Sequence, residues 1–280
     1  MADASLTHGV WLERVPELVA ECVEEWQLEL GEPYEAGAAG YAVRAALTDG
    51  TPTVLKLIYP HREAEHEADA LELLAGNGAV RLLARDDARS AMLLERCEPG
   101  TALAENGGEK ALDVLVELLP RHWVRAGEPF HTLAEEAAWW IDDLPEQWEQ
   151  SGRAIERRLV DTAVDALGLL SESQGEQVLL NQDLHGDNVL AAEREPWLVI
   201  DPKPLLGERE FAVAPIVRSF ELGSSRADVL YRLDRLTSEL GLDRERARGW
   251  TIGQTMAWAF DSDYSDTHLE TVRWLLEDAE

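Results

Sequence analysis

The sequence predicts an α+β fold in two parts, a small β-rich N-terminal lobe (residues 1–96) and a larger helical C-terminal lobe (residues 97–280). Three observations carry this. Period-two runs rich in β-branched and aromatic residues recur between residues 34 and 95. After Glu98-Pro-Gly-Thr101 nearly every stretch has helical spacing. The exception is a pair of short strand-like runs, Gln177–Leu180 and Trp197–Ile200, which flank the segment richest in chemistry.

In chain order, Val10 to Leu30 carries apolar residues at helical spacing, and Gly31-Glu-Pro33 reads as its stop. Strands are expected around Tyr34–Ala36, Tyr41–Leu47 and Thr53–Ile58, the last two joined by the turn Thr48-Asp-Gly-Thr-Pro52. Residues 61–75 return to a helical stripe through Ala64, Ala68, Leu71 and Leu74. Two further strands fall near Val80–Ala84 and Ala91–Glu95. Beyond the linker, helices are expected over 109–121, 131–143, 152–171, 210–222, 226–240, 243–260 and 266–278. There is no internal repeat and no long low-complexity segment.

Composition narrows the function classes. A length of 280 residues suits two modest domains. No window approaches the roughly 20 apolar residues of a membrane span, and the N-terminus lacks the basic-then-apolar pattern of a secretory signal. Cys22 and Cys97 have no metal-ligand spacing, so a reduced, cytoplasmic chain is expected. With 55 acidic against 25 basic residues the formal net charge is −30, which argues against nucleic-acid or anionic-membrane partners. That excess fits either whole-surface adaptation or attraction of a cationic small molecule, and charge alone does not separate them. A monomer or homodimer is expected.

The chemistry concentrates in Asn181-Gln-Asp-Leu-His-Gly-Asp-Asn-Val-Leu190 and Val199-Ile-Asp-Pro-Lys203. Asp183, Asn188 five positions on and Asp201 thirteen beyond have the order that phosphoryl transfer from a nucleotide requires. A carboxylate orients the attacking hydroxyl, and an amide oxygen and a second carboxylate are hard donors for Mg2+. Asp183 is therefore the expected base, and Asn188 and Asp201 the expected metal ligands. Upstream, Lys56 lies in a buried-looking strand, where an ammonium is costly unless its charge is used. It is expected to reach the phosphates of ATP, steered by Glu67 from the next helix, with Glu63 as the second choice. Gly37 and Gly40 sit in a strand-turn-strand position where backbone N–H groups approach phosphates closely, although ordinary hairpin chemistry explains them equally. Glu95 and Cys97 run into the linker, where backbone groups would meet an adenine edge. The order Lys56, Asp183, Asn188, Asp201 in a β-rich-then-helical chain reads as a bilobal, protein-kinase-like fold acting on small molecules. Trp258, Asp261, Asp263 and Tyr264 form an acidic and aromatic cluster suited to a guanidinium or ammonium ligand, although an acidic helix-end loop in an acidic protein explains it more simply. Trp139, Trp140 and Trp148 are expected in core or lid packing.

At these residues the chain resembles the aminoglycoside phosphotransferase-like kinases, and within them the aminoglycoside 6-phosphotransferase/hydroxyurea kinase family that includes streptomycin 6-kinases. The likeness rests on Val54-Leu-Lys-Leu with His66-Glu-Ala, on Met92-Leu-Leu-Glu-Arg-Cys-Glu-Pro-Gly100, and on the two catalytic segments with Ile200-Asp-Pro-Lys-Pro204. It covers roughly residues 34 to 222. The resemblance implies an ATP- and Mg2+-dependent O-kinase with Asp183 as base, Asn188 and Asp201 on the metal and Lys56 on the phosphates. It also implies a streptomycin-type acceptor phosphorylated at its 6-hydroxyl. A metabolic kinase for an amino sugar, amino alcohol or hydroxyurea-like compound is the alternative, and a non-catalytic nucleotide-binding regulator is disfavoured because every ligand is present. Two departures stand out: Asn181-Gln182 precede the base where the family has His or His-Gly, and a later Asp-Leu-Ala element reads Ala212-Val213-Ala214.

Overall fold

Leu55 and Leu57 are fully buried on one face of their strand, which leaves Lys56 on the other, and the N-terminal half is organised around that alternation. The computed structural model describes residues 7–34, 40–260 and 265–278. Its elements begin with α1 (His8–Trp26), β1 (Glu29–Pro33), β2 (Gly40–Ala46), β3 (Pro52–Ile58), α2 (Glu67–Leu74), β4 (Leu82–Asp86) and β5 (Ala91–Glu95). They continue with α3 (Gly108–His122), α4 (Leu133–Gln150), α5 (Arg157–Ser171), β6 (Gln177–Asn181), β7 (Val189–Ala191), β8 (Trp197–Val199) and β9 (Pro204–Glu208). The last are α6 (Ala214–Val217), α7 (Arg226–Leu240), α8 (Arg244–Ala257) and α9 (Ser265–Glu277). Two compact units divide the chain: residues 1–101 with 191–201, and residues 102–190 with 202–280. Among the described residues no helix is long and apolar enough to cross a membrane.

The first unit is an antiparallel sheet in the order β1-β2-β3-β5-β4. In its register Lys56 stands between Ala42 of β2 and Met92 of β5. Trp11, Val15, Leu18 and Cys22 of α1 pack on Val43, Leu55, Leu57 and Leu93, closing one face. The N-cap Thr7 begins α1 by accepting a hydrogen bond from Val10 N–H. The helix stops at Gln27, whose φ of 53° breaks the ladder, and residues 29–33 form an exposed edge strand. The expected helix thus runs three to four residues too far, because Leu30 keeps the helical spacing by coincidence. Residues 191–201 return to this unit through Val199, which accepts from Val80 N–H at 3.0 Å and donates to Gly78 O at 2.9 Å.

In the second unit β6 and β9 pair antiparallel, Asn181 opposite Pro204 and Gln177 opposite Glu208. β9 was not expected, since the prolines of Asp-Pro-Lys-Pro argue against a strand interior; Pro204 occupies the first strand position, where a missing N–H costs least. The helices gather around an aromatic core in which Trp140 and Phe211 are 6.2 Å apart and Phe211 meets Trp250 edge-on at 5.8 Å. Trp139, by contrast, is half exposed, so only its neighbour is core. Trp148 stacks against Arg153 and Arg157 near the surface. Buried Glu208 receives Arg246 at 2.7 Å and Trp250 Nε1–H at 2.5 Å, which satisfies a carboxylate that would be costly alone. Capping boxes start α4 at Thr132 and α7 at Ser225, and Gly241, at φ 66°, ends α7. The stretch 210–222, expected as one helix, is a 3₁₀ turn, the four residues of α6 and then an irregular bend.

Candidate active site

In the first unit the alternation of β3 and the first turn of α2 bring Lys56 and Glu67 together. Lys56 Nζ donates to both Glu67 oxygens at 2.7 Å and to Asp201 Oδ1 at 2.8 Å. Glu67 is 1 % exposed. Burial raises its carboxyl, reinforced by Asp201 and opposed by Lys56. For Lys56 burial works the other way, but the two carboxylates outweigh it and the ammonium is raised above its ordinary value. Asp201 follows β8 with φ 51°, an uncommon conformation for a residue with a Cβ, of the kind stored at functional positions. Its side chain remains 41 % exposed.

Glu95 and Cys97 also lie in this unit. The Glu95 carboxylate is taken by Arg194 Nε at 2.7 Å and Nη2 at 2.9 Å, and accepts from Arg81 N–H at 3.0 Å. Cys97 is buried, and burial pushes its thiol up to about 11, which makes it a poor nucleophile. A Cβ on Gly40 would stand 3.2 Å from Leu57 O, so close strand packing accounts for that glycine. Gly37 lies outside the described residues.

In the second unit β6 delivers the loop that carries Asp183. Asn181 Oδ1 accepts from Asp183 N–H and from Lys203 N–H, both at 3.0 Å, and Gln182 N–H donates to Lys203 O at 2.9 Å. Gln254, fully buried on α8, donates to Gln182 O at 2.7 Å. The backbone entering Asp183 is therefore clamped. Asn181 thus has a structural task of its own, a side-chain acceptor bridging two loop amides.

Two cations meet the Asp183 carboxylate. Lys203 Nζ is 2.6 Å from Oδ2 and Arg218 Nη2 is 3.4 Å from Oδ1. Both lie over the Trp258 ring, Arg218 at 4.4 Å and Lys203 at 5.8 Å from its centroid. The expected cation-binding ring is therefore already faced by the protein's own cations. Its expected neighbours Asp261 and Asp263 lie outside the described residues.

Asn188 Nδ2 donates to Asp183 O at 2.9 Å and stands 3.2 Å from His185 Nε2. With the amide nitrogen so used, its oxygen is the atom offered outward. His185 Nδ1 meets Glu221 Oε1 at 3.2 Å, and the same oxygen accepts from Gly186 N–H at 3.1 Å and Ser219 Oγ–H at 2.6 Å. Burial works to raise the Glu221 carboxyl, but the His185 and Ser219 hydrogen bonds outweigh it and hold it at about 2. Gly186 packs so closely on Ala104 that a Cβ would sit 3.1 Å from its backbone.

The Asn188 amide oxygen in one unit and the Asp201 carboxylate in the other are each hard donors of the kind magnesium takes. Sequence reasoning named Lys56, Glu67, Asp183, Asn188 and Asp201 but not Arg218, Glu221 or Gln254. Arg218 and Glu221 lie in the run expected to be helical and belong to no local motif. Lys203 closes the second of the chemistry-bearing segments, but its spacing gives it no role of its own.

A five-stranded sheet with a Lys–Glu pair, joined to a helical unit with a clamped Asp-to-Asn loop, defines a kinase-like phosphotransferase. The chain belongs to the aminoglycoside/hydroxyurea antibiotic resistance kinase family, which matches residues 28–263. It is 40 % identical over 251 residues to the hydroxyurea phosphotransferase of Kitasatospora aureofaciens, spanning 88 % of this chain and 72 % of that one. Against the streptomycin 6-kinase of Streptomyces griseus the identity is 37 % over 253 residues, 88 % and 82 % of the two chains. Among solved structures the fold is similar to a choline kinase from Streptococcus pneumoniae, with a TM-score of 0.67 and 13 % identity over 94 % of this chain and 98 % of that one. It is likewise similar to the aminoglycoside phosphotransferase APH(4)-Ia in ternary complex with ADP and hygromycin B, with a TM-score of 0.64 and 16 % identity over 95 % and 97 %.

Proposed function

We propose that this enzyme transfers the γ-phosphate of ATP, with Mg2+, to a hydroxyl of a streptomycin-type aminoglycoside, at the 6-position, in the cytoplasm. The observation that carries the chemistry is the clamped carboxylate of Asp183, whose loop also holds the Asn188 amide in a fixed direction. The streptomycin 6-kinase relative at 37 % identity supports the acceptor.

Asp183 orients the acceptor hydroxyl and takes its proton as the new P–O bond forms, so attack begins from one geometry rather than many. Lys56, held by Glu67, supplies positive charge to the nucleotide phosphates. Asn188 and Asp201 would hold magnesium, which neutralises phosphate charge during transfer. Gln254 and Asn181 keep the Asp183 backbone from drifting, and misplacement by about 1 Å is enough to cost catalysis dearly.

One observation favours a second acceptor. Lys203 and Arg218 surround the base with positive charge, which disfavours a guanidinium beside the reacting hydroxyl and suits a neutral acceptor such as hydroxyurea. The hydroxyurea phosphotransferase relative at 40 % identity supports this reading. The test is to incubate purified protein with magnesium-ATP and either compound, following ADP release and locating the phosphate by 31P NMR. Transfer to the streptomycin 6-hydroxyl is expected. Transfer to hydroxyurea alone selects the second reading, and transfer to neither removes both acceptors.

A further inference from the structure

We propose that Lys203 is a catalytic residue in its own right, whose ammonium binds the phosphoryl group in transfer and is held by Asp183 until that group arrives. The proposal rests on the reading of Asp183 as the acceptor-orienting base.

Residue choice is the first observation. The chain has three lysines, Lys56, Lys110 and Lys203, and its other 22 basic residues are arginine. Two of the three, Lys56 and Lys203, are bound to carboxylates of the catalytic constellation, at 2.7 to 2.8 Å and 2.6 Å. Where a planar fork would serve, this chain uses arginine, as at Glu208 and Glu95. A compact ammonium is the better group for a small, mobile oxyanion that must be released after each turnover.

The second observation is how firmly the side chain is placed. Pro202 and Pro204 restrict the backbone on either side of Lys203. Its N–H and C=O are both tied to the catalytic loop, through Asn181 Oδ1 at 3.0 Å and Gln182 N–H at 2.9 Å. The side chain is 17 % exposed and runs beside the Trp258 ring. A long, flexible residue has thus been ordered next to the base, at a cost in side-chain entropy.

Geometry supplies the third. An acceptor oxygen hydrogen-bonded to Asp183 lies about 2.5–3.0 Å from the carboxylate. The transferred phosphorus ends one covalent bond from that acceptor oxygen. For an acceptor oxygen bound on the Oδ2 side of the carboxylate, the phosphoryl oxygens therefore finish near the ammonium that already touches that oxygen at 2.6 Å. In the step, the acceptor oxygen bonds to the γ-phosphorus while the bridging P–O bond breaks and its electron pair leaves on ADP. The acceptor proton passes to Asp183. Lys203 gives up no proton; its positive charge shifts from Asp183, which is being neutralised, to the phosphoryl oxygens. A counter-ion serving Asp183 alone would lose its partner at that point.

Calorimetry separates the two roles without using an acceptor. Affinity is measured for magnesium-ADP, and for magnesium-ADP with aluminium fluoride, which mimics the phosphoryl group in transfer. In Lys203→Met the ADP affinity is expected to stay within about twofold of the parent's. The affinity gained from aluminium fluoride should fall by about 10²-fold, the scale of losing one preorganised charge donor. Lys203→Arg should recover part of the gain. An equal gain in Lys203→Met and the parent overturns the proposal. So does a parent that gains nothing from the mimic, since its ammonium then holds no phosphoryl charge. Failure to phosphorylate streptomycin or hydroxyurea leaves this result standing and removes only the acceptor assignment.

Discussion

One oxygen of Asp183 is held by Lys203 at 2.6 Å and the other is approached by Arg218 at 3.4 Å, so the carboxylate is fixed before any substrate enters. Asp183→Ala is expected to lower turnover about 10²–10⁴-fold while magnesium-ATP affinity by calorimetry stays near the parent's. Asp201→Ala should give the opposite pattern, weakening magnesium-nucleotide binding first; unchanged affinity would remove Asp201 from the metal. His268 carries a pH prediction. Burial, helped by Arg218, drives its imidazole down to about 4, while Nδ1 is 3.1 Å from Trp258 O. The unfolded chain takes up this proton near pH 6.5 and the folded one only near pH 4. Stability from this group is thus complete above about pH 6.5 and is lost as the pH falls toward 4, at most about 1.4 kcal/mol per pH unit. A His268→Gln variant should flatten the acid side of a plot of Tm against pH; an unchanged slope would show that His268 is not responsible. The sequence marked Asp183 and Asp201 by spacing, but His268 carries no local signal because its shift comes from burial.

At the scale of elements, the bend between α6 and α7 matters more than its length suggests. It carries Arg218 to Asp183 and Glu221 to the Asp183–Asn188 loop. Arg232 of α7 holds it from below, donating to Val217 O at 2.8 and 3.2 Å, Leu222 O at 3.1 Å and Gly223 O at 2.7 Å. Arg232 is 1 % exposed, and burial pushes its guanidinium down to about 10. Removing it in Arg232→Ala leaves two buried carbonyls, Val217 and Leu222, and the half-buried Gly223 carbonyl without their donor. A loss of about 3–5 kcal/mol is expected, read as a lower urea midpoint. A midpoint within error of the parent's would mean that water replaces the guanidinium freely. The helical pattern over 210–222 concealed this bend, because Phe211, Val213, Ile216 and Val217 are apolar whether they sit in a helix or in a buried turn. Only the packing of α7 and α8 against them decides between the two.

For the whole molecule the charge of −30 is the governing quantity. Arginines gather several carboxylates each, as Arg89 does with Glu21, Glu25 and Asp86, and Arg235 with Glu109, Asp113 and Glu239. Exposed pairs of this kind contribute about 0–1 kcal/mol each, too little to offset repulsion among the remaining acids. Salt screens that repulsion, with a Debye length falling from about 10 Å at 0.1 M to about 3 Å at 1 M. Tm is therefore expected to rise between 0.1 and 1 M NaCl, by about 2–4 °C for each kcal/mol recovered. A falling Tm in differential scanning fluorimetry would mean that the ion pairs outweigh the net repulsion.

By itself the sequence determined the fold class, the Lys56–Glu67 pairing and the order in which the candidate site residues follow one another. Each of these is set by local periodicity or by spacing within one segment: alternation turns Lys56 away from Leu55 and Leu57, and five residues separate Asp183 from Asn188. Tertiary structure alone decided what surrounds the base. Lys203 follows Asp183 by 20 residues and Arg218 by 35, and Gln254 reaches the Gln182 carbonyl across 72. Such contacts leave no period in the chain. They exist because β6 and β9 pair, α8 packs beneath them, and buried polar groups must find partners where the fold has brought them.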